Sequence, residues 1–406
     1  MSGFTFAKGN FLKVVSSPLY FLGAVASMFV KRDRNLWVFA SGSGIGEGPL
    51  ALYKYASVAD KDLKLVWLAR SKPELVEAKT LCLNAATRNS WRGFRLTLRA
   101  GAIVVSHGLG DANRFGVRGA FVLQMWHGIP LKKIQLDSPV TFSGGFVSRQ
   151  ILKRAYRRST QSIRLMPAAS KLSAKRLESA FGLSEGVVAV TGDPRDDVVL
   201  SEPAAAKRIL EQKLGEIGRA RLVLFAPTWR DGQADPVVPS DKEWLSIATF
   251  LEETNSLLVV RPHPHAVGDY SIGSSVSKRI RMLSPKLQND VNPILPAVDL
   301  LITDYSSIAF DFSLLERPIA FLAPDVVDYA KTRGLYEKYS AFSGGSEVTN
   351  WRDLLNLLRS ESTLNKLAAH ARQLAKMHQD FRDGKNTARV YEELRKRLVA
   401  RFGGES

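Results

Sequence analysis

The chain has 406 residues, enough for two domains with separate cores, and its 45% apolar and 24% charged content excludes both wholesale disorder and a polytopic membrane protein. A single cysteine, Cys82, rules out an internal disulfide and a cysteine metal cage and points to a reducing compartment. The net charge is +18, and residues 1–200 carry nearly all of the excess, with 29 basic and 13 acidic side chains. Such a half suits nucleic acid, an anionic bilayer or a polyanionic substrate, and charge alone does not choose among them.

In chain order, the apolar segment from Phe11 to Val30 comes first, followed by Lys31-Arg32-Asp33-Arg34. Lys13, Pro18 and three serines weaken a spanning anchor, and a helix seated at a membrane interface is expected ahead of an ordinary buried helix. Short apolar runs then alternate with helical patterns, the signature of βαβ units and parallel sheets. Strands are predicted at 36–41, 63–69, 102–106, 121–126, 163–168 and 187–192, making one Rossmann-like half. A helical stretch near 200–218 follows, and strands at 221–227, 256–262, 299–304 and 318–324 make a second. The expected fold is α/β. The expected organisation is a membrane-proximal segment 1–34, domains 35–200 and 201–360, and helices within 361–406 that pack back across both.

Ligands of open parallel sheets sit at the carboxyl ends of strands, and this chain places its unusual residues there. Trp126-His127-Gly128-Ile129-Pro130-Leu131-Lys132-Lys133 follows one strand and Asp193-Pro194-Arg195-Asp196-Asp197 another. Pro227-Thr228-Trp229-Arg230-Asp231, Arg261-Pro262-His263-Pro264-His265 and Asp304-Tyr305-Ser306-Ser307, with Asp311 in the helix that follows, complete the set. Arg195, Arg230 and Arg261 at successive strand ends suit a shared anionic ligand. Ser306 and Ser307 offer hydroxyls where free backbone N–H groups already favour an anion. His127 stands in a tight-turn setting, and an imidazole is the natural base for an alcohol near neutral pH. His107 also follows a strand in a less specific setting, while His370 and His378 read as surface or packing residues.

Two rival motifs are weaker. His263-Pro264-His265 resembles a metal-ligating H-x-H, but the chain beyond it is too short for most of a hydrolase barrel. No tight carboxylate cluster is visible in the sequence, so neither a magnesium site nor another metal is expected. Gly42-Ser43-Gly44-Ile45-Gly46-Glu47-Gly48 lies between strand and helix as in a dinucleotide site. It lacks the G-K-[ST] of a P-loop, and Arg70 stands where a ribose-binding acid belongs, which leaves a loop lining a cleft.

Taken in order, WHGIPLKK (126–133), GDPRDD (192–197), APTWRD (226–231), RPHPH (261–265), TDYSSIAFDFSLLERPIAFLAPDVVDY (303–329) and DGKNTARV (383–390) resemble the CDP-glycerol glycerophosphotransferase family, which includes teichoic acid primases and polymerases. The resemblance implies a GT-B-like fold of two Rossmann-like domains facing across a cleft. It implies transfer of glycerol phosphate from CDP-glycerol, or of ribitol phosphate from its CDP ester, to a hydroxyl of a lipid-linked or polymeric acceptor with release of CMP. The work would be done peripherally on the cytoplasmic face of the membrane, without a cofactor.

Carried over by motif, His127 is the base on the acceptor hydroxyl, and His263 with Arg261 meets the donor pyrophosphate. Arg195, Thr228, Arg230, Ser306, Ser307 and Asp311 hold the CDP-polyol. Trp126, Gly128, Pro130, Lys132, Trp229, Pro262, His265 and Asp304 complete the substrate-binding set. Ile129 stands where the family often has threonine and is expected to bear on the acceptor.

Two further functions compete: a GT-B glycosyltransferase using a nucleotide sugar, and a non-catalytic binder of polyanion or nucleic acid. The motif combination argues against the first. The second lacks aromatics interleaved on a basic surface, so no nucleic-acid partner is expected. For the membrane, residues 148–164 hold Arg149, Lys153, Arg154, Arg157, Arg158 and Arg164 and no acid, with Ile151, Ala155 and Ile163 expected to turn inward.

Overall fold

A computed structural model describes residues 23, 25–27, 29–141, 146–230, 233–263 and 266–403. Most of the Phe11 to Val30 segment lies outside them, as do Asp231 and His265. Of these residues, those within Met1–His127, Gln161–Met166 and Val390–Ser406 form one compact unit, and Gly128–Thr160 with Pro167–Arg389 form a second.

Apolar runs supply most strands of the first sheet. Its strands are β1 (Asp33–Ala40), β2 (Lys64–Ala69), β3 (Ala85–Thr87), β4 (Ala100–Val105), β5 (Phe121–Gln124), β6 (Ile163–Ala168) and β7 (Val188–Val190), in the order β3-β2-β1-β4-β5-β6-β7. A second sheet has the order β10-β9-β8-β11-β12, from β8 (Arg221–Ala226), β9 (Ser256–Val260), β10 (Ile280–Met282), β11 (Leu300–Thr303) and β12 (Ile319–Phe321). Pairing is parallel in both, and the expected α/β fold with two parallel sheets is what the chain adopts.

The second sheet is buried on both faces, as parallel sheets require. Leu222, Leu224, Leu257, Val259, Leu301, Ile319 and Phe321 fill one core, while the alternate residues Val223, Phe225, Leu258, Val260, Leu300, Ile302 and Ala320 fill the other. In the first unit Leu36, Val38, Ala40, Val66, Leu68, Ile103, Val105 and Val122 share a core face.

Three features differ from the sequence reading. β3 and β10 are absent from it because three residues make too short an apolar run; each is held as a strand by pairing with β2 or β9. The basic stretch becomes a helix at Phe146–Thr160, on which Ile151 is 61% exposed and Ala155 exposed as well. Ile163 does turn inward, but as a residue of β6, because the helix ends at Thr160. Among the described residues no helix is long and apolar enough to cross a membrane.

Candidate active site

In the first sheet the strand order reverses between β1 and β4, so the segments leaving these strands flank a crevice at its carboxyl edge. The turn after β4 is held by Asp111, whose Oδ2 accepts from the backbone N–H of Ser106 at 3.2 Å, His107 at 2.7 Å and Gly108 at 3.2 Å. Ser106 Oγ donates to Ser41 Oγ at 2.8 Å and lies 2.8 Å from His107 Nδ1. Next along the edge, His127 follows β5. Its ring centroid is 4.6 Å from that of His107, the planes at 68°, and 3.8 Å from that of Trp126. Trp126 has φ of +62°, a left-handed backbone that a bulky side chain rarely adopts. Strained backbone of this kind concentrates at functional sites, and here it falls directly before His127.

The same loop continues into the second unit at Gly128, whose φ is +117°. A Cβ there would lie 2.1 Å from Arg195 Nη2, so only glycine admits the guanidinium. Buried Arg195 donates to both carboxylate oxygens of Asp311, at 2.6 and 2.7 Å, and its Nε lies 3.3 Å from Asp193 Oδ2. With several carboxylates near one guanidinium, burial pushes Asp311 up to about 6, Arg195 opposing and Asp193 reinforcing the shift. Burial, with Asp193 and Asp311 adding to it, raises Asp196 well above the usual carboxylate range and favours its protonated form. This is the carboxylate cluster that the sequence does not show, since Asp311 stands 116 residues from Arg195. Among the described residues no three His, Cys, Asp or Glu side chains are arranged to hold a metal ion.

Beyond Gly128 the loop is stitched into the second unit. Pro130 C=O accepts from Arg176 Nη1 at 2.8 Å, Lys132 pairs antiparallel with Leu335, and Tyr336 N–H donates to Leu131 C=O at 2.9 Å. Ile129 and Leu131 enter the apolar core. Ile129 is a packing residue, at 4% exposure.

The second sheet reverses its strand order between β8 and β11. Asp304 Oδ1 accepts from the backbone N–H of Thr228 at 2.8 Å and of Tyr305 at 2.7 Å. Arg230 donates from Nε and Nη2 to Asp325 at 2.8 and 2.9 Å, lies 3.1 Å from Asp304 Oδ2, and sits 4.9 Å from the ring centroids of Tyr305 and Tyr329. Burial would lower its pKa, but Asp325 and Asp304 outweigh that and raise it.

Arg261 donates to the backbone carbonyls of Gln288 at 2.6 Å and Asn289 at 2.8 Å, and burial lowers its pKa to about 10. The Thr228 side chain is buried beside the Asp304 carboxylate. Ser306 and Ser307 are half-buried at the start of the helix Ile308–Ser313. Trp229 stacks on exposed His263, centroids 5.5 Å apart and planes at 13°, with Arg333 5.7 Å from the indole and Pro262 half-buried beside them. His370 and His378 pack, the first 2.9 Å from Phe342 C=O and the second against Phe310.

The structure thus joins Arg195 to Asp311 and Asp193, and Arg230 to Asp304 and Asp325. These pairings were not part of the sequence reading, and a buried charge requires them. Also missed were Asp325 and Tyr329, although both lie within the 303–329 segment, and the Ser41, Ser106 and Asp111 scaffold around His107. The signal for Asp111 was its position four residues after a strand-end histidine.

The chain matches the CDP-glycerol:poly(glycerophosphate) glycerophosphotransferase family over residues 22–396 and belongs to it. It is 26% identical over 376 residues to a teichoic acid glycerol-phosphate transferase of Staphylococcus aureus, covering 89% of this chain and 93% of the relative. To the S. aureus teichoic acid ribitol-phosphate polymerase TarK it is 28% identical over 281 residues, covering 68% of this chain and 52% of the polymerase. The chain therefore spans about half the length of that curated relative. The wall teichoic acid polymerase TagF, solved also after soaking with CDPG, has the same fold, with a TM-score of 0.76 and 21% identity over 97% of both chains.

Proposed function

We propose that this chain transfers a polyol phosphate, glycerol phosphate in the first instance, from its CDP ester to a hydroxyl of a lipid-linked or polymeric acceptor in cell-surface polymer synthesis. The observation that carries the reading is His127, which directly follows the left-handed backbone of Trp126 after β5, inside a family match of nearly full length. The acceptor oxygen attacks the phosphorus of the polyol phosphate as His127 takes its proton. The bond to the bridging oxygen breaks, CMP leaves with that oxygen, and the proton passes from His127 to solvent. Such a transfer needs positioning and charge neutralisation more than covalent help.

On the donor side, the hydroxyls of Thr228, Ser306 and Ser307 and the exposed imidazole of His263 meet the phosphates. Arg195 with Asp311, and Arg230 with Asp304 and Asp325, act as the frame that holds these groups. No metal takes part, so EDTA leaves turnover unchanged; rescue by magnesium after EDTA inhibition would overturn this.

The test is incubation with CDP-glycerol, CDP-ribitol and a panel of nucleotide sugars, followed by assay of the released nucleotide. CMP from CDP-glycerol supports the reading, CMP from CDP-ribitol alone changes the polyol, and turnover of a nucleotide sugar alone replaces the reaction.

A lipid-linked acceptor places the enzyme peripherally on the cytoplasmic membrane face, and the exposed Arg149, Arg154, Arg157 and Arg158 of the helix Phe146–Thr160 supply the attraction. Each contributes about 1 kcal/mol near an anionic leaflet. Sedimentation with anionic vesicles, reversed by salt and absent with neutral ones, is the expected result. No binding to either kind would reject it.

A further inference from the structure

We propose that His107 is a positioning residue for His127, holding its imidazole in orientation and limiting its hydration during transfer; the proposal rests on the reading of His127 as the base. Five observations on the first unit carry it. His107 leaves β4 at the point where the strand order reverses, beside the segment leaving β1, so it stands in the crevice where such sheets bind ligands. Its ring meets that of His127 edge to face, 4.6 Å between centroids.

The ring is also tethered on its other side. With Ser106 donating to Ser41, the Ser106 hydroxyl accepts from His107 Nδ1–H at 2.8 Å, which leaves Nε2 as the acceptor nitrogen. Its backbone is pinned by Asp111, and a Cβ at Gly42 would lie 2.7 Å from His107 Cγ and 3.0 Å from Asp111 Oδ1, so the β1 loop closes against the ring with no room to spare. Two tethers and one close backbone approach are more than a surface histidine needs.

The charged groups around the pair are Asp111 on the same turn, Arg70 after β2 with its partner Glu74, and Arg88, whose Nη1 donates to Gly110 C=O at 2.8 Å. Desolvation by the surrounding protein lowers the His107 pKa, Asp111 opposes this and Arg70 adds to it, so the ring beside His127 is neutral at pH 7.

The experiment is steady-state transfer by His107→Ala, His107→Phe and Ser106→Ala across pH, with thermal melting to confirm folding. His107→Ala is expected to lower kcat on the order of 10-fold to 10²-fold, the scale of a misplaced catalytic group, at unchanged KM for CDP-glycerol. Water admitted beside His127 favours its charged form, so the acid limb of the kcat/KM profile moves to higher pH. His107→Phe keeps a ring and recovers most of the limb position. Ser106→Ala, which keeps the imidazole and loosens its tether, gives a smaller loss in the same direction. Wild-type kcat and an unmoved acid limb in folded His107→Ala would overturn the proposal, as would a Phe variant no better than Ala. The base reading fails separately, if His127→Gln turns over like wild type.

Discussion

Buried cationic groups are satisfied in two ways, by backbone carbonyls at Arg32 of the first unit and Arg261 of the second, and by carboxylates at Arg195 and Arg230 of the second. In the first, Arg32 donates to four backbone carbonyls, those of Thr97, Ala100, Gly116 and Arg118, and burial lowers its pKa to about 10. In the second, Arg195 and Arg230 are clamped by Asp311, Asp304 and Asp325. The contrast extends to the strand ends. Those of the first unit present imidazoles and hydroxyls, with the Asp111 carboxylate committed to backbone N–H groups. Those of the second present hydroxyls, an indole and the exposed His263 imidazole on a lattice of ion pairs. Interlocked charges keep the strand ends of the second unit from reorganising.

Four perturbations break or sharpen this contrast. The largest effect is expected at His127: replacement by Gln removes the base and costs ~10² to 10⁴ in rate, while calorimetric binding of CDP-glycerol is unchanged. Equal loss of donor binding would show that the two units do not divide the work in this way.

Asp311→Ala leaves Arg195 buried without its bidentate partner and costs about 3–5 kcal/mol in urea denaturation. Unaltered stability would mean that the carboxylate lattice does not hold the second unit together. Arg32→Gln, by contrast, leaves carbonyls that regain water at the unit's edge, and a smaller cost of about 1–3 kcal/mol is expected from the same measurement.

The smallest effect is on pH dependence. Asp311 is raised in the folded chain to about 6 from 3.8, so the folded state keeps a proton that the unfolded state has released. That contribution to stability is full below about pH 4 and is lost as pH rises through 6, at no more than about 1.4 kcal/mol per pH unit. Asp311→Asn cannot titrate, and the fall in Tm between pH 4 and pH 6 becomes shallower in this variant. An unchanged slope would assign the titration to Asp193 or Asp196, which burial also raises.

The sequence by itself determined the two parallel sheets and where their chemistry lies. Apolar runs four or more residues long bury themselves on both faces, and polar residues can collect only where such runs end. The positions of His127, Thr228, His263 and Ser306 at strand ends were legible for that reason. Tertiary structure alone decided the short strands β3 and β10, which exist through pairing with β2 and β9, and the outward face of Ile151. It also decided the ion pairs. Arg195 finds Asp311 across 116 residues and Arg230 finds Asp325 across 95, separations over which no local pattern links a charge to its partner. Arg195 and Arg230 pair with carboxylates because a guanidinium taken out of water must be satisfied by the protein around it.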